Sequence, residues 1–199
     1  MLELAILGLL KERAMHGYQL KKRLADTLGG FWQVSYGSLY PALKRLQREE
    51  AVEMIFPKEQ VGRRKNVYRI TEKGDAVFAD LLERVGHEAT QDGNFSVRFA
   101  FFRYLKPEAR IRLLERRRAL LEGRWADLKE SVQRLKEGID GYTLSLMNHE
   151  LAATETDIRW LDDLIQAEQR QAQEPAGPRR TRARRLPEAP GLPQRSVSR

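Results

Sequence analysis

Cysteine is absent from the 199 residues, which excludes a disulfide framework, a thiol nucleophile and thiolate metal sites, and suits a reducing compartment. Histidine is scarce: His16, His87 and His149 are the only three, widely separated in the chain, so no metal-spaced cluster with carboxylates forms in the sequence. Long apolar runs are also missing. Leu2 to Leu10 is broken by Glu3, is followed at once by Lys11-Glu12-Arg13, and lacks the basic start and small-residue cleavage site of a signal peptide. No stretch approaches the 18 or so apolar residues that a membrane span needs. A cytoplasmic protein with no membrane partner is expected. There is no glycine-rich phosphate loop and no nucleophile elbow. The paired acids Glu49-Glu50 and Asp162-Asp163 are adjacent in helical segments, where neighbours diverge by about 100° and cannot share a substrate. Neither an enzyme nor a cofactor or metal site is expected.

What the chain does have is positive charge, unevenly placed. Lys and Arg number 36 against 28 Asp and Glu, a net charge of +8. Residues 1–78 carry 14 basic and 9 acidic side chains, residues 79–172 carry 15 and 17, and residues 173–199 carry 7 and 2. A polyanion is thereby directed at the first segment and at the tail.

Within the first segment, Leu39, Ala42, Leu43 and Leu46 stand at i, i+3, i+4 and i+7, one narrow apolar stripe on a helix. The same winding sends Gly37, Tyr40, Lys44, Arg45 and Arg48 to the other side, a face of cations, a phenol and bare backbone. Pro41 is tolerated near a helix start, so this helix is expected to begin close to Ser35–Ser38. Such a face suits either an ordinary solvated helix or a helix that meets phosphate, and the flanking elements decide between them.

Leu2, Ala5, Ile6, Leu9 and Leu10 predict a first helix over residues 2–12. Leu20, Leu24 and Leu28 predict a second over Tyr18–Leu28, ended by Gly29-Gly30 and followed by Phe31 and Trp32, read as core plugs with base stacking as the alternative. After Glu50 the period becomes two: Val52, Met54 and Phe56 form one strand and Val67–Ile70 another, a hairpin whose tip offers Arg63, Arg64 and Lys65. Thr71 is a candidate N-cap for a further helix with Val77, Phe78, Leu81, Leu82 and Val85 inward, although Gly74 stands where a capping box would have Glu.

Helix, helix, basic helix, strand, basic turn, strand is the order of a winged helix-turn-helix. The residues His16-Gly17-Tyr18-Gln19-Leu20, the run Gly37 to Leu46 and the run Gly62 to Gly74 resemble the PadR family of bacterial transcriptional regulators. Asn66 and Val67 depart from that pattern, where many members carry a basic residue and an aromatic. The resemblance implies a homodimer on an inverted-repeat operator, usually repressing, with Tyr18, Tyr36, Ser38, Tyr40 and Lys44 on DNA and Arg63, Arg64 and Lys65 in the adjoining groove. It also implies a helical C-terminal dimerisation domain, the mark of the longer branch of the family.

That second domain is legible independently. Gln91-Asp92-Gly93-Asn94 reads as a break, followed by a short aromatic helix with Phe95, Phe99 and Phe102 inward. From Pro107 onward, Ile111, Leu114, Leu121, Trp125, Leu128, Val132 and Leu135 keep coiled-coil spacing, with Arg118 interrupting the seam. After Gly138 and Gly141, one helix carries two apolar seams. Leu144, Met147, Leu151, Thr154, Ile158, Leu161 and Ile165 form the first; Tyr142, Leu146, His149, Ala153, Thr156, Trp160 and Leu164 form the second. One seam can take the preceding helix and the other a second copy of the chain. Leu144, Met147, Leu151, Ile158, Leu161 and Ile165 are the expected dimerisation residues. Arg118, Trp125, Tyr142, His149 and Trp160 form a candidate effector pocket for an anionic small molecule, the alternative being a salt bridge from Arg118 to an acid such as Glu150 or Asp157. Residues 173–199, with five of the eight prolines, read as a disordered basic tail.

The expected fold is mainly α: a winged helix-turn-helix over 1–90, a helical, coiled-coil-like dimerisation and effector domain over 94–172, and the tail. The expected function is a homodimeric repressor that binds double-stranded DNA through helix 36–48 and wing 58–66 and is relieved by an effector. The alternative is a winged-helix adaptor for proteins, without sequence-selective DNA binding.

Overall fold

The structure, a computed structural model, describes residues 1–28, 34–55, 66–84, 92–135 and 137–173. It divides into two compact units, Met1–Lys106 and Pro107–Arg199. In the first, α1 (Leu2–Leu10) is buried along Leu4 to Leu10, on every side and not along one face as its sequence spacing implies. Around it pack α2 (Gly17–Leu28), α3 (Tyr36–Arg48), α4 (Glu72–Glu83), α5 (Asp92–Phe99) and the wing strand β3 (Val67–Ile70). Strand β2 (Val52–Ile55) pairs antiparallel with β3 in the register Val52↔Ile70 and Ile55↔Val67, with Glu53 and Arg69 bridged across the pair at 2.8 Å. A strand of two residues, β1 (Met15–His16), adds to the other edge of β3. Two residues are too few to show a period of two, and the sequence therefore reads only as an interruption there.

Two corners orient α3 and α4. Glu50 has φ 59°, the left-handed conformation that usually selects glycine. Glu50 N donates to the Gln47 carbonyl (3.1 Å) and Ala51 N to the Leu46 carbonyl (2.9 Å), the paired bonds of a Schellman stop. The chain then turns directly into β2. At the other corner Thr71 Oγ1 accepts from Gly74 N (3.0 Å) and donates to the Glu50 carbonyl (2.6 Å). The place of Gly74 in this cap now has a cause: a Cβ there would lie 2.0 Å from the Ala51 carbonyl oxygen.

Helix α5 starts at Asp92, so Asp92, Gly93 and Asn94 are helical instead of forming a break. The aromatic segment belongs to the first unit, whereas the sequence spacing groups it with the helical arm. Phe101 and Tyr104 meet Phe78 of α4 edge-on at 6.0 and 5.4 Å, and Phe101 fills the space left by Gly8 of α1, where a Cβ would come within 2.4 Å of the ring. Arg98, 6 % exposed, donates to the Leu81 and Leu82 carbonyls at 2.7 and 2.9 Å, satisfying the C-terminus of α4. Burial, then the neighbouring Arg84, lowers its pKa from the usual arginine value.

The second unit is an antiparallel hairpin of α6 (Pro107–Leu135) and α7 (Gly141–Gln173). Arg110–Glu168 at 3.0 Å and Arg118–Asp162 at 2.8 Å set its register. Extended along both helices, that register places Leu128 opposite Leu151 and Leu135 opposite Leu144. The first seam of α7 therefore faces α6. Asp140 caps α7, accepting from Tyr142 N (2.9 Å), Thr143 N (3.1 Å) and the Thr143 hydroxyl. Those bonds, the Thr143 hydroxyl first, hold its carboxyl below the usual aspartate range.

Gly74→Ala gains about 1 kcal/mol of helix propensity but must overpack rigid backbone, at about 1–3 kcal/mol or more. A net loss of about 2 kcal/mol is expected in chemical denaturation. For Asp140 the folded pKa lies below the unfolded one, so its cap is fully present above the unfolded value and is lost as pH falls through the folded value. Amide exchange at Tyr142 and Thr143 should accelerate, relative to intrinsic rates, only at such acidic pH, and at all pH values in Asp140→Ala.

Candidate nucleic-acid interface

The buried side of α3 is Leu39, Ala42, Leu43 and Leu46, as its spacing requires. Ser35 starts the helix: its Oγ accepts from Ser38 N at 3.1 Å, and Ser38 Oγ donates back to the Ser35 carbonyl at 3.0 Å. Ser38 is thus engaged in the cap, although its side chain is exposed. Pro41 is the sixth residue of the helix. It supplies no N–H for the Gly37 carbonyl, so the outward face has bare backbone at the residue without a side chain. Lys44, Gln47, Arg48 and Pro41 line a shallow depression on this face.

Three phenols join the cations. Tyr18, Tyr36 and Tyr40 are all exposed, and the rings of Tyr36 and Tyr40 stack at 6.2 Å. Tyr40 rests on Gly17 of α2, where a Cβ would lie 2.8 Å from its hydroxyl. Gly17 therefore admits Tyr40 and sets the spacing of α2 against α3. Burial, then the Tyr40 phenol, raises the pKa of Tyr68 on β3.

Helix α2 opens with a reciprocal cap that the sequence reading missed. Gln19 N donates to His16 Nδ1 at 3.2 Å, and His16 N donates to Gln19 Oε1 at 3.1 Å. Acceptance at Nδ1 requires that nitrogen to be unprotonated. The signal was a glutamine three residues after a polar residue, a capping box with histidine in the first place.

Ion pairing sorts the cations. Arg45, expected on the outward face, is turned to Glu3 of α1: it lies at the edge of the buried stripe, within reach of that helix. Arg23 is held by Glu12 at 3.0 Å. Among the described residues, Lys44 and Arg48 form no ion pair. The expected contacts Arg63, Arg64 and Lys65 lie outside the described residues, as do Phe31, Trp32 and all of the tail beyond Gln173.

The five candidate effector residues are not brought together. Arg118 pairs with Asp162 and, at 3.5 Å, with Glu122, and the hydrogen bond to Asp162 raises its pKa further. The Trp125 ring carries Lys129 Nζ at 4.4 Å. Tyr142 is 92 % exposed and stands 18 residues, about 27 Å, along α7 from Trp160. Of the six expected dimerisation residues, Leu161 and Ile165 are already buried and Leu144, Met147, Leu151 and Ile158 half-buried.

Residues 6–80 match the model of the transcriptional regulator PadR-like family, and residues 94–168 that of the virulence activator alpha C-term family. The chain thus carries a PadR-like family domain. Members of that family are transcriptional regulators and not enzymes. A negative transcriptional regulator PadR of Bacillus subtilis is 23 % identical over 175 residues, covering 82 % of this chain and 95 % of that protein. Among solved structures, PadR of Bacillus subtilis in complex with operator DNA is 22 % identical, covering 84 % of this chain and 98 % of that one, with TM-score 0.41. The PadR-like regulator BC1756 of Bacillus cereus is 21 % identical over 86 % of this chain and 99 % of that one, with TM-score 0.39. No helix among the described residues is long and apolar enough to cross a membrane.

The sorting of charge predicts retention on heparin. Lys44→Ala and Arg48→Ala should each elute at lower salt than the wild type. The double change Glu3→Gln with Arg45→Gln, which removes both halves of the Glu3–Arg45 pair and leaves the net charge unchanged, should elute close to it.

Proposed function

We propose that this PadR-like regulator is a cytoplasmic homodimeric repressor that grips an inverted-repeat operator through α3 and the wing. The observation that carries the reading is the outward face of α3. Gly37, Tyr40, Lys44 and Arg48 stand there together, exposed and, among the described residues, without a carboxylate partner, while Arg45 at its margin is neutralised. Lys and Arg contact phosphates and fix register, and base edges are read by side chains that enter the groove. The family and the repressing relative from Bacillus subtilis support the reading.

The dimer is assigned to the second seam of α7. Tyr142 is 92 % and Leu146 60 % exposed, and His149 and Ala153 continue the same face, whereas the first seam faces α6. An isologous contact of two such faces would form the dimer. Relief by an effector stays part of the proposal without Arg118 as its anchor, since Asp162 already supplies that countercharge.

Mobility shift on the chain's own upstream region, against an unrelated duplex, tests the function. A sequence-selective shift lost in Lys44→Ala is expected; no selective shift would return the adaptor reading. Leu146→Glu should halve the mass measured by light scattering and weaken operator binding at least tenfold, while a dimeric mass in that variant would move the interface elsewhere.

A further inference from the structure

We propose that Lys21 is a phosphate-contacting residue of the DNA interface, supplied by α2 and aimed by the ring of Tyr36. The inference rests on the DNA-binding reading above. Lys21 Nζ lies 3.7 Å from the centroid of the Tyr36 ring, and that ring in turn stacks on Tyr40. Tyr40 is seated on Gly17. Four residues therefore fasten α2 to the first turns of α3, and the ammonium sits at their outer end.

Charge pairing separates Lys21 from Arg23. Arg23, two residues on, is held by Glu12, whereas Lys21 forms no ion pair among the described residues. An ammonium has three N–H donors, and a ring face takes up only one side of it. The side chain is half-buried, so its stem is already ordered. A lysine laid against a ring loses less rotamer freedom on binding a phosphate than one waving in solvent, such as the exposed Lys22.

Position assigns the target. The recognition helix of a helix-turn-helix offers its N-terminal residues to base edges, while the helix before it crosses the phosphate backbone. Lys21 stands on that preceding helix, α2, beside the start of α3. Because the contact is to phosphate, it strengthens every duplex alike.

Fluorescence anisotropy with the operator duplex and a scrambled duplex, from about 50 to 200 mM salt, tests this. Lys21→Ala is expected to flatten the slope of log K against log salt by about 0.9 on both duplexes. Lys21→Arg keeps the charge, and Tyr36→Phe keeps the ring, so both should retain the wild-type slope. Tyr36→Leu should weaken binding and flatten the slope by less than Lys21→Ala does, because the charge remains nearby and only its aim is lost. A wild-type slope in Lys21→Ala, with Lys44→Ala flattened as a control, would reduce Lys21 to a brace and overturn the proposal. Wild-type protein that binds neither duplex would instead bring down the DNA-binding reading itself.

Discussion

Seven consecutive residues of α1, Leu4 to Leu10, are withdrawn from water, and α2, α3, α4, α5 and β3 all pack against this one helix. Each fully buried leucine or isoleucine there contributes about 1.5–3 kcal/mol of hydrophobic stabilisation. A helix apolar on all sides can serve only as an axle. Every surrounding element must turn its own apolar stripe inward to meet it, which leaves the polar face of α3 outward without any separate device. Gly8 extends the same logic to the far side, because its missing side chain lets Phe101 approach and ties the aromatic segment after α5 to α1 and α4.

Charge is distributed by a different rule. Surface ion pairs contribute about 0–1 kcal/mol each, so Arg45–Glu3, Arg23–Glu12, Lys11–Asp75 and Lys73–Glu50 matter little to stability. Their larger effect is on the field. Each cancels a cation away from the outward face of α3, while Lys21, Lys44 and Arg48 form no ion pair among the described residues. Fields of this kind raise encounter rates with a polyanion and fade with salt. The exposed phenols supply flat, partly apolar surface between those charges.

Elements whose signal is local were legible before any coordinates. The stripe of α3, the Ser35 start and the Thr71 cap depend on residues a few positions apart, and the pairing of β2 with β3 on residues fewer than 20 apart; the structure has them where the spacing implies. Elements whose role depends on distant partners were not. Phe95, Phe101 and Phe102 announce a core without saying which one. Arg45 and Lys44 are adjacent, equally charged and both exposed, yet only one reaches Glu3. Arg118 interrupts an apolar seam as a buried orphan would, but Asp162, 44 residues later, answers its charge.

By itself the sequence determined the helical and strand periods, the Ser35 and Thr71 caps and the presence of a basic helix ahead of a hairpin. Those properties arise from torsional preferences and side-chain spacing within a few residues, which are written in order along the chain. The tertiary structure alone decided which cations are neutralised, which unit holds the aromatic helix and which seam of α7 faces α6. These are questions of what lies next to what across tens of residues, and only the packed chain brings such groups within the 3–4 Å at which ion pairs and van der Waals contacts act.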